Sequence, residues 1–354
     1  LDQKIFPPLL APIRMRGYSP SPAMKALAST AYLTPALATA HSSSQEAAST
    51  MSANPSRREF LRTLTLGSAG LLLAPLSLAP LAPAHAASGD LQSRVVNHIA
   101  GLRAQGLIGA SDRVSWSVYD FTSRQKLVAI NEDVPRQAAS MIKPFVCQAW
   151  FYQASQSSRI SYTPEVRKTM ERMIRSSCNK STNRLMTLVS QNAGNRGPGD
   201  VERVLKQNAP QIFQDTRIVE QIPAGGRTYR NLASASDYGR FLEAFWRNQL
   251  PYADEMRSLL SLSNRDRIVD GVDSMPDNVR VYDKTGSTSM LCGDMGIVVA
   301  PGENGGSYPY TFVAIIESPF PVKKYFGWMK QRGNAIRSVS NLVYQDLKDR
   351  YQLA

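Results

Sequence analysis

The chain reads as a mixed α/β fold of α+β type, with a strand-bearing lobe made from two distant segments and an all-helical lobe inserted between them. Three observations predict this. Two alternating apolar runs lie near residues 114–130, helical periodicity fills most of residues 140–264, and three further apolar runs precede a final amphipathic stretch.

The elements follow in order. Asp90 to Leu107 carries Leu91, Val95, Ile99 and Leu102 on one helical face, with Gly109 and Asp112 as punctuation. Val114, Trp116 and Val118 alternate with Ser115, Ser117 and Tyr119, and after a turn at Thr122-Ser123 the segment Lys126 to Ile130 returns antiparallel. The helical block then shows stripes at Val166, Met170, Met173 and Ile174, at Leu185, Leu188 and Val189, and at Tyr238, Phe241, Leu242, Phe245 and Trp246. Strands are expected at Arg280 to Tyr282, Met295 to Ala300 and Thr311 to Ile316, the last apolar enough for a central strand. Ile336, Val339, Val343 and Leu347 mark the closing helix. A sheet divided by so long an insertion closes non-locally, and the crevice between the lobes is the natural pocket.

Residues 1–50 are rich in Ala, Ser, Pro and Thr without periodicity and read as a disordered extension, with Met51 as the expected start. Residues 51–86 read as an export signal. Ser56-Arg57-Arg58-Glu59-Phe60-Leu61-Arg62 matches the twin-arginine pattern, a modest apolar run follows, and Ala84-His85-Ala86 is an A-x-A cleavage site. Pro75, Pro80 and Pro83 interrupt that run below the roughly 20 apolar residues a membrane span needs. The expectation is a protein delivered by the twin-arginine machinery to a bacterial periplasm or the cell exterior. Residues 87–354 then form the catalytic domain, its sheet lobe at about 87–139 and 270–354 and its helical lobe at about 140–269.

The whole chain carries +13, and residues 87–354 hold 34 Lys/Arg against 25 Asp/Glu. The positive residues are scattered over helical faces rather than clustered with stacking aromatics, which argues against nucleic acid as a partner. An anionic cell envelope or carboxylate substrates suit such a protein better. Cys147, Cys178 and Cys292 are too few for a disulfide scaffold, and their spacing suggests no metal site. No cofactor is expected, and the chain is expected to be a monomer.

The chemistry resides in three short strings: Ser140-Met141-Ile142-Lys143, Ser177-Cys178-Asn179 and Lys284-Thr285-Gly286. S-x-x-K also occurs at Ser123-Arg124-Gln125-Lys126, where a hairpin turn is expected, and at Ser177-Cys178-Asn179-Lys180, which overlaps the middle string. Ser140 stands apart because an apolar periodicity through Phe145, Val146, Ala149 and Trp150 begins just after it, with Pro144 tolerated only in a first helical turn. The chain's histidines are His41, His85 and His98, the first two before residue 87 and the third in the first helix. Their placement argues against a Ser-His-Asp triad, and the base should be a lysine.

Lys143 lies one helical turn from Ser140, close enough to take its proton once burial and a neighbouring positive charge lower the amine's pKa by about three units. Lys284 is the candidate neighbour. A helix beginning at Ser140 aims its positive end at a developing oxyanion. Lys284 and Thr285 can hold a carboxylate, Gly286 opens space for a substrate, and the Ser287 N–H can share an oxyanion hole with that of Ser140. Ser177 can pass a proton to a leaving nitrogen, and Asn179 can bond a substrate amide and Lys143.

On these strings, in this order, the chain resembles, over most of residues 90–352, the class A β-lactamase family of the serine β-lactamase and penicillin-binding protein superfamily. The resemblance implies a five-stranded antiparallel sheet with flanking N- and C-terminal helices plus an all-helical domain. It also implies that a β-lactam ring acylates Ser140 and that water then frees the enzyme. Cys178 stands where that family usually has Asp, and the interval from Ser140 to Ser177 is short. The family's deacylating Glu lies in an Ω-loop with Asn four positions later. In the matching segment, Thr216 to Thr228, Glu220 is the one acid after Thr216, and Ala224 follows four positions on. Glu220 is the candidate hydrolytic base, with a solvated loop acid as the alternative. An enzyme acting on D-Ala-D-Ala peptides, or a poorly deacylating β-lactam-binding protein, would use the same acylation set.

Overall fold

The computed structural model describes residues 87–223, 230–262 and 265–354, all within the compact unit Leu78–Ala354. The extension and export signal expected over residues 1–86 lie outside the described residues, as does Ala224. Among the described residues no helix is long and apolar enough to cross a membrane.

Five strands form one antiparallel sheet: β1 (Arg113–Asp120), β2 (Gln125–Ile130), β5 (Arg280–Thr288), β6 (Leu291–Pro301) and β7 (Ser307–Glu317), in the order β2-β1-β7-β6-β5. Short turns join β1 to β2, β5 to β6 and β6 to β7. The decisive pairing is non-local, with β1 running against β7 from Arg113 opposite Glu317 to Asp120 opposite Tyr310. It works because β7 is the expected central apolar strand, buried from Tyr310 through Glu317, so that both faces reward closure of the long loop. A separate two-stranded ribbon pairs β3 (Arg136–Gln137) with β4 (Leu232–Ala233).

One face of the sheet is covered by the terminal helices, α1 (Ala87–Ala104) and α8 (Tyr325–Tyr351), whose apolar stripes at Leu91, Val95, Ile336, Val339 and Val343 enclose one core with Trp116, Val298 and Phe312. The other core joins the opposite face of β6 and β7 to the helical lobe, α2 (Lys143–Gln156), α3 (Pro164–Arg175), α4 (Asn179–Gln191), α5 (Gly199–Asn208), α6 (Ala235–Trp246) and α7 (Ala253–Leu260). Strand alternation separates the two cores. Met295, Ile297 and Val299 face the helical lobe while Val298 and Ala300 face the terminal helices.

Helix starts follow local chemistry. Thr163 caps α3 by accepting from the Val166 N–H at 3.4 Å, with Pro164 in its first turn, and Ser234 caps α6 by accepting from the Asp237 N–H at 3.0 Å. The α2 helix differs from its neighbours. Every residue from Lys143 to Gln153 is buried, so it lies in the middle of the lobe rather than on its surface.

The helix expected at or just after Ser140 is present, opening with a 3₁₀ turn over Ala139–Ile142 before α2 proper begins at Lys143. Pro144 supplies the reason: it has no N–H to return to Ser140, so the turn closes by the Lys143 N–H donating to the Ser140 carbonyl. The strands also run further than their apolar runs suggest, and β5 continues unbroken from Arg280 through the polar Lys284-Thr285-Gly286-Ser287.

Phe145 anchors the helical lobe, its ring 4.9 Å from Phe213 and 5.1 Å from both Tyr238 and Phe241. Phe145→Ala should lower unfolding free energy by about 3–5 kcal/mol in urea titrations. A loss below about 1 kcal/mol would mean that this cluster does not hold the lobe together.

Candidate active site

Three segments far apart in sequence meet at one amine. Lys143 Nζ lies 2.9 Å from Ser140 Oγ, 2.7 Å from the Ser177 carbonyl oxygen and 3.1 Å from Asn179 Oδ1. The first contact follows from the turn, since residues three apart in a 3₁₀ turn eclipse one another. The other two come from the start of α4. Ser177 adopts a left-handed backbone, φ +50°, which turns its carbonyl toward the amine, and Asn179 is the first residue of the helix. Ala139, just before the serine, is also left-handed at φ +45°.

The amine is fully buried, and its pKa is lowered to about 7, mainly by burial and then by the charge of Lys284; Cys178 opposes the shift. Lys284 is itself buried. Its pKa is lowered by burial and by Arg267, against the acids Asp283 and Asp294. Its ammonium donates to the Thr285 carbonyl at 3.1 Å and to the Thr285 hydroxyl at 3.3 Å.

The strand β5 is the edge of the sheet, which leaves one row of its backbone groups without a strand neighbour. The 3₁₀ turn packs against it. A Cβ on Gly286 would come within 2.9 Å of Met141 Cγ and 3.3 Å of Ala139 Cβ, and one on the paired Gly293 within 3.0 Å of Met141 Cε. Gly286 therefore also accommodates the turn that carries Ser140. The two glycines set how closely the serine approaches the K-T-G strand.

Sequence reasoning missed two groups beside this strand. The Arg267 guanidinium donates to Ser287 Oγ and to the Gly293 carbonyl, both at 2.8 Å, while its backbone N–H donates to Asp294 Oδ2 at 2.7 Å. Asp294 is completely buried opposite Thr285, and burial raises its pKa. An acid inside the apolar run Leu291–Ala300 was the available signal; nothing local distinguished Arg267 from other loop arginines.

The loop bearing Glu220 is fastened from two sides. Asn231, itself buried, accepts from the Val219 and Glu220 N–H groups at 2.9 and 3.1 Å and donates to the Glu220 carbonyl at 2.9 Å. The Asn231 carbonyl accepts from the Ala138 N–H at 2.8 Å, which ties the loop to the nucleophile turn. Asn183, one turn along α4 from Asn179, clasps Ile222 by two bonds of 2.8 Å, one to its N–H and one to its carbonyl. The residue fixed against α4 is thus an isoleucine. The Glu220 carboxylate accepts from the Arg230 N–H at 3.1 Å and lies 4.0 Å from the Arg230 guanidinium. Among the described residues, the hydrogen-bond partners of the Lys143 amine are Ser140, Ser177 and Asn179, not Glu220.

His98 bonds Ser338 of α8 at 2.7 Å, in the packing of the terminal helices. All three cysteines are free thiols; Cys178 is half-buried, and Ser181 hydrogen bonds hold its thiol below the usual range. Among the described residues no cluster of His, Cys, Asp and Glu could hold a metal.

Solved structures with this fold include a point mutant of PBP-A described as an acyl-enzyme complex with penicillin-G, at 16% identity and TM-score 0.57, covering 74% of this chain and 97% of that one. A β-lactamase from Desulfarculus baarsii gives 16% identity and TM-score 0.57, covering 72% and 98%. An ancestral class A β-lactamase gives 18% and 0.55, covering 71% and 99%. At such identities these likenesses establish the fold, the β-lactamase/transpeptidase-like arrangement of sheet and helical lobe. No curated protein matches the sequence. The profile of the beta-lactamase enzyme family, however, matches residues 100–347, and this chain belongs to that family.

Proposed function

We propose that the protein is an exported serine acyl hydrolase of β-lactamase type that opens β-lactam rings through an acyl-enzyme on Ser140. The observation that carries this reading is the buried Lys143 amine, 2.9 Å from Ser140 Oγ with its pKa lowered to about 7. The Ser177 carbonyl and Asn179 Oδ1 can only accept. A neutral amine gives its two N–H groups to them and keeps its lone pair for the Ser140 hydroxyl. The two acceptors therefore aim the base.

In acylation, Ser140 Oγ bonds the ring carbonyl carbon and its proton passes to Lys143. The C–N bond then breaks, and the nitrogen takes a proton from Ser177, which Lys143 replenishes. Asn179 keeps its amide N–H groups for the substrate because its oxygen faces Lys143. Lys284, Thr285 and Arg267 supply the cationic and hydroxyl groups for a substrate carboxylate, with Gly286 and Ser287 along the strand edge. The Ser140 and Ser287 N–H groups serve as the oxyanion hole. Hydrolysis requires water to attack the ester carbon, with the proton returned to Ser140.

That last step separates two forms of the reading. If Glu220 activates the water, the protein is a β-lactamase with rapid turnover. The Lys143 amine is bonded to Ser140, Ser177 and Asn179 rather than to Glu220, which favours the second form: a penicillin-binding, DD-peptidase-like protein whose acyl-enzyme persists. The twin-arginine pattern before residue 87 supports export of either form to the periplasm or beyond, where D-Ala-D-Ala peptides and β-lactams are met.

Four outcomes test this. Ser140→Ala should abolish penicillin labelling seen by intact-protein mass spectrometry, and persistent labelling would move the nucleophile elsewhere. Single-turnover acylation should rise with pH through about 7, because only the neutral Lys143 accepts a proton. Lys284→Met removes a positive neighbour and should shift that rise to higher pH, whereas an unmoved profile would detach Lys284 from Lys143. Glu220→Gln should leave the acyl-enzyme lifetime within about twofold if release is slow, and lengthen it about 100-fold or more if Glu220 is the base.

A further inference from the structure

The described residue with the most exposed large apolar side chain is Phe326, at 85%, followed by Phe320 at 75%; the next, Val96, reaches 46%. The two phenylalanines flank one short segment, Phe320-Pro321-Val322-Lys323-Lys324-Tyr325-Phe326, in which both lysines are exposed. Lys330, also exposed, follows one turn into α8. Two aromatic rings held in water beside three cations need a physical reason, since single exposed apolar residues are common but such a cluster is not.

The segment is held firmly. The Ser318 N–H donates to the Met290 carbonyl and the Val322 N–H to the Ser289 carbonyl, each at 2.8 Å, which fastens it to the β5–β6 turn. Ser318 Oγ donates to the Phe320 carbonyl at 2.7 Å, Pro319 and Pro321 restrict the backbone, and Phe326 packs edge-on against Tyr325 with centroids 5.4 Å apart. The rings are displayed at little ordering cost.

The segment and most of the helix that follows it carry charge of one sign. No Asp or Glu occurs from Ser318 to Gln345, and the first acid after Glu317 is Asp346, near the far end of α8. Two acids that meet this stretch, Asp112 and Glu317, are buried and paired, the first with Arg332 and the second with Arg113 and Arg136; the exposed Asp273 lies further along α8, beside Asn334 and Arg337. The α8 helix opens here without an acidic residue in its first turn and without a side-chain cap, so its positive end adds to Lys323 and Lys324. That arrangement suits an anionic partner. A second copy of the chain would set these cations against their own kind.

We infer that the Phe320–Phe326 segment docks the protein on an anionic phospholipid surface, the two rings entering the headgroup boundary while Lys323, Lys324 and Lys330 face the lipid charges. Aromatic rings and lysines are the pair of features such an interface selects. Because the segment is fastened to the turn that follows β5, docking holds the lobe carrying the K-T-G strand at the membrane.

Hydrogen exchange of the full chain, with and without phosphatidylcholine vesicles containing about 30% phosphatidylglycerol, tests it locally. Residues 318–330 should gain protection with these vesicles and none with pure phosphatidylcholine. In vesicle flotation, F320S/F326S and K323E/K324E should each weaken binding about tenfold or more, with thermal melting showing that both variants remain folded. Absence of local protection, or variants that float like the wild type, would overturn the inference. Protection that appears with rising protein concentration alone, or with isolated cell-wall polymer and not with vesicles, would overturn it too.

Discussion

The site depends on one buried amine. Lys143 lies on a helix enclosed on every side, and its nitrogen is met by Ser140 from its own chain segment and by Ser177 and Asn179 from the start of α4. Burial alone would make an ammonium costly, and Lys284 adds to that cost, so the neutral form becomes accessible near neutral pH. Two oxygens that can only accept then fix which way the lone pair points. Reactivity and direction thus come from the same packing.

The fold supplies that packing through a non-local sheet. Pairing of β1 with β7 joins the chain's two distant strand segments, and β5 at the sheet's edge receives the nucleophile turn. Met141 fits against Gly286 and Gly293, and a side chain at Gly286 would crowd both Met141 and Ala139 of the turn. Asn231 and Asn183 perform the corresponding task for the loop bearing Glu220 and Ile222, each using one side-chain amide to satisfy two or more backbone groups. Stability and positioning are difficult to separate here.

Much of this is legible in the sequence, and the reasons are local. Apolar periodicity marks the helices, and the helix-start context of Ser140 distinguishes it from Ser123, which lies in the β1–β2 turn. The closing strands run longer than their apolar patterns because polar residues such as Asp283 and Lys284 interrupt the pattern of β5 without ending its pairing. The 3₁₀ opening before α2 is encoded in Pro144: its tolerance in a first turn points to a helix start, while its missing N–H also removes the bond that would have begun that helix at Ser140. Arg267, Asn183 and Asn231 act through partners distant in sequence, so no spacing rule selects them.

The most direct test of the account is the titration of Lys143 itself. In lysine-labelled protein observed by NMR, one side-chain amine should titrate near pH 7, and its signal should vanish in Lys143→Arg. A Lys143 that stays charged up to about pH 10, the range of an ordinary lysine, would contradict the account and leave Ser140 without its base.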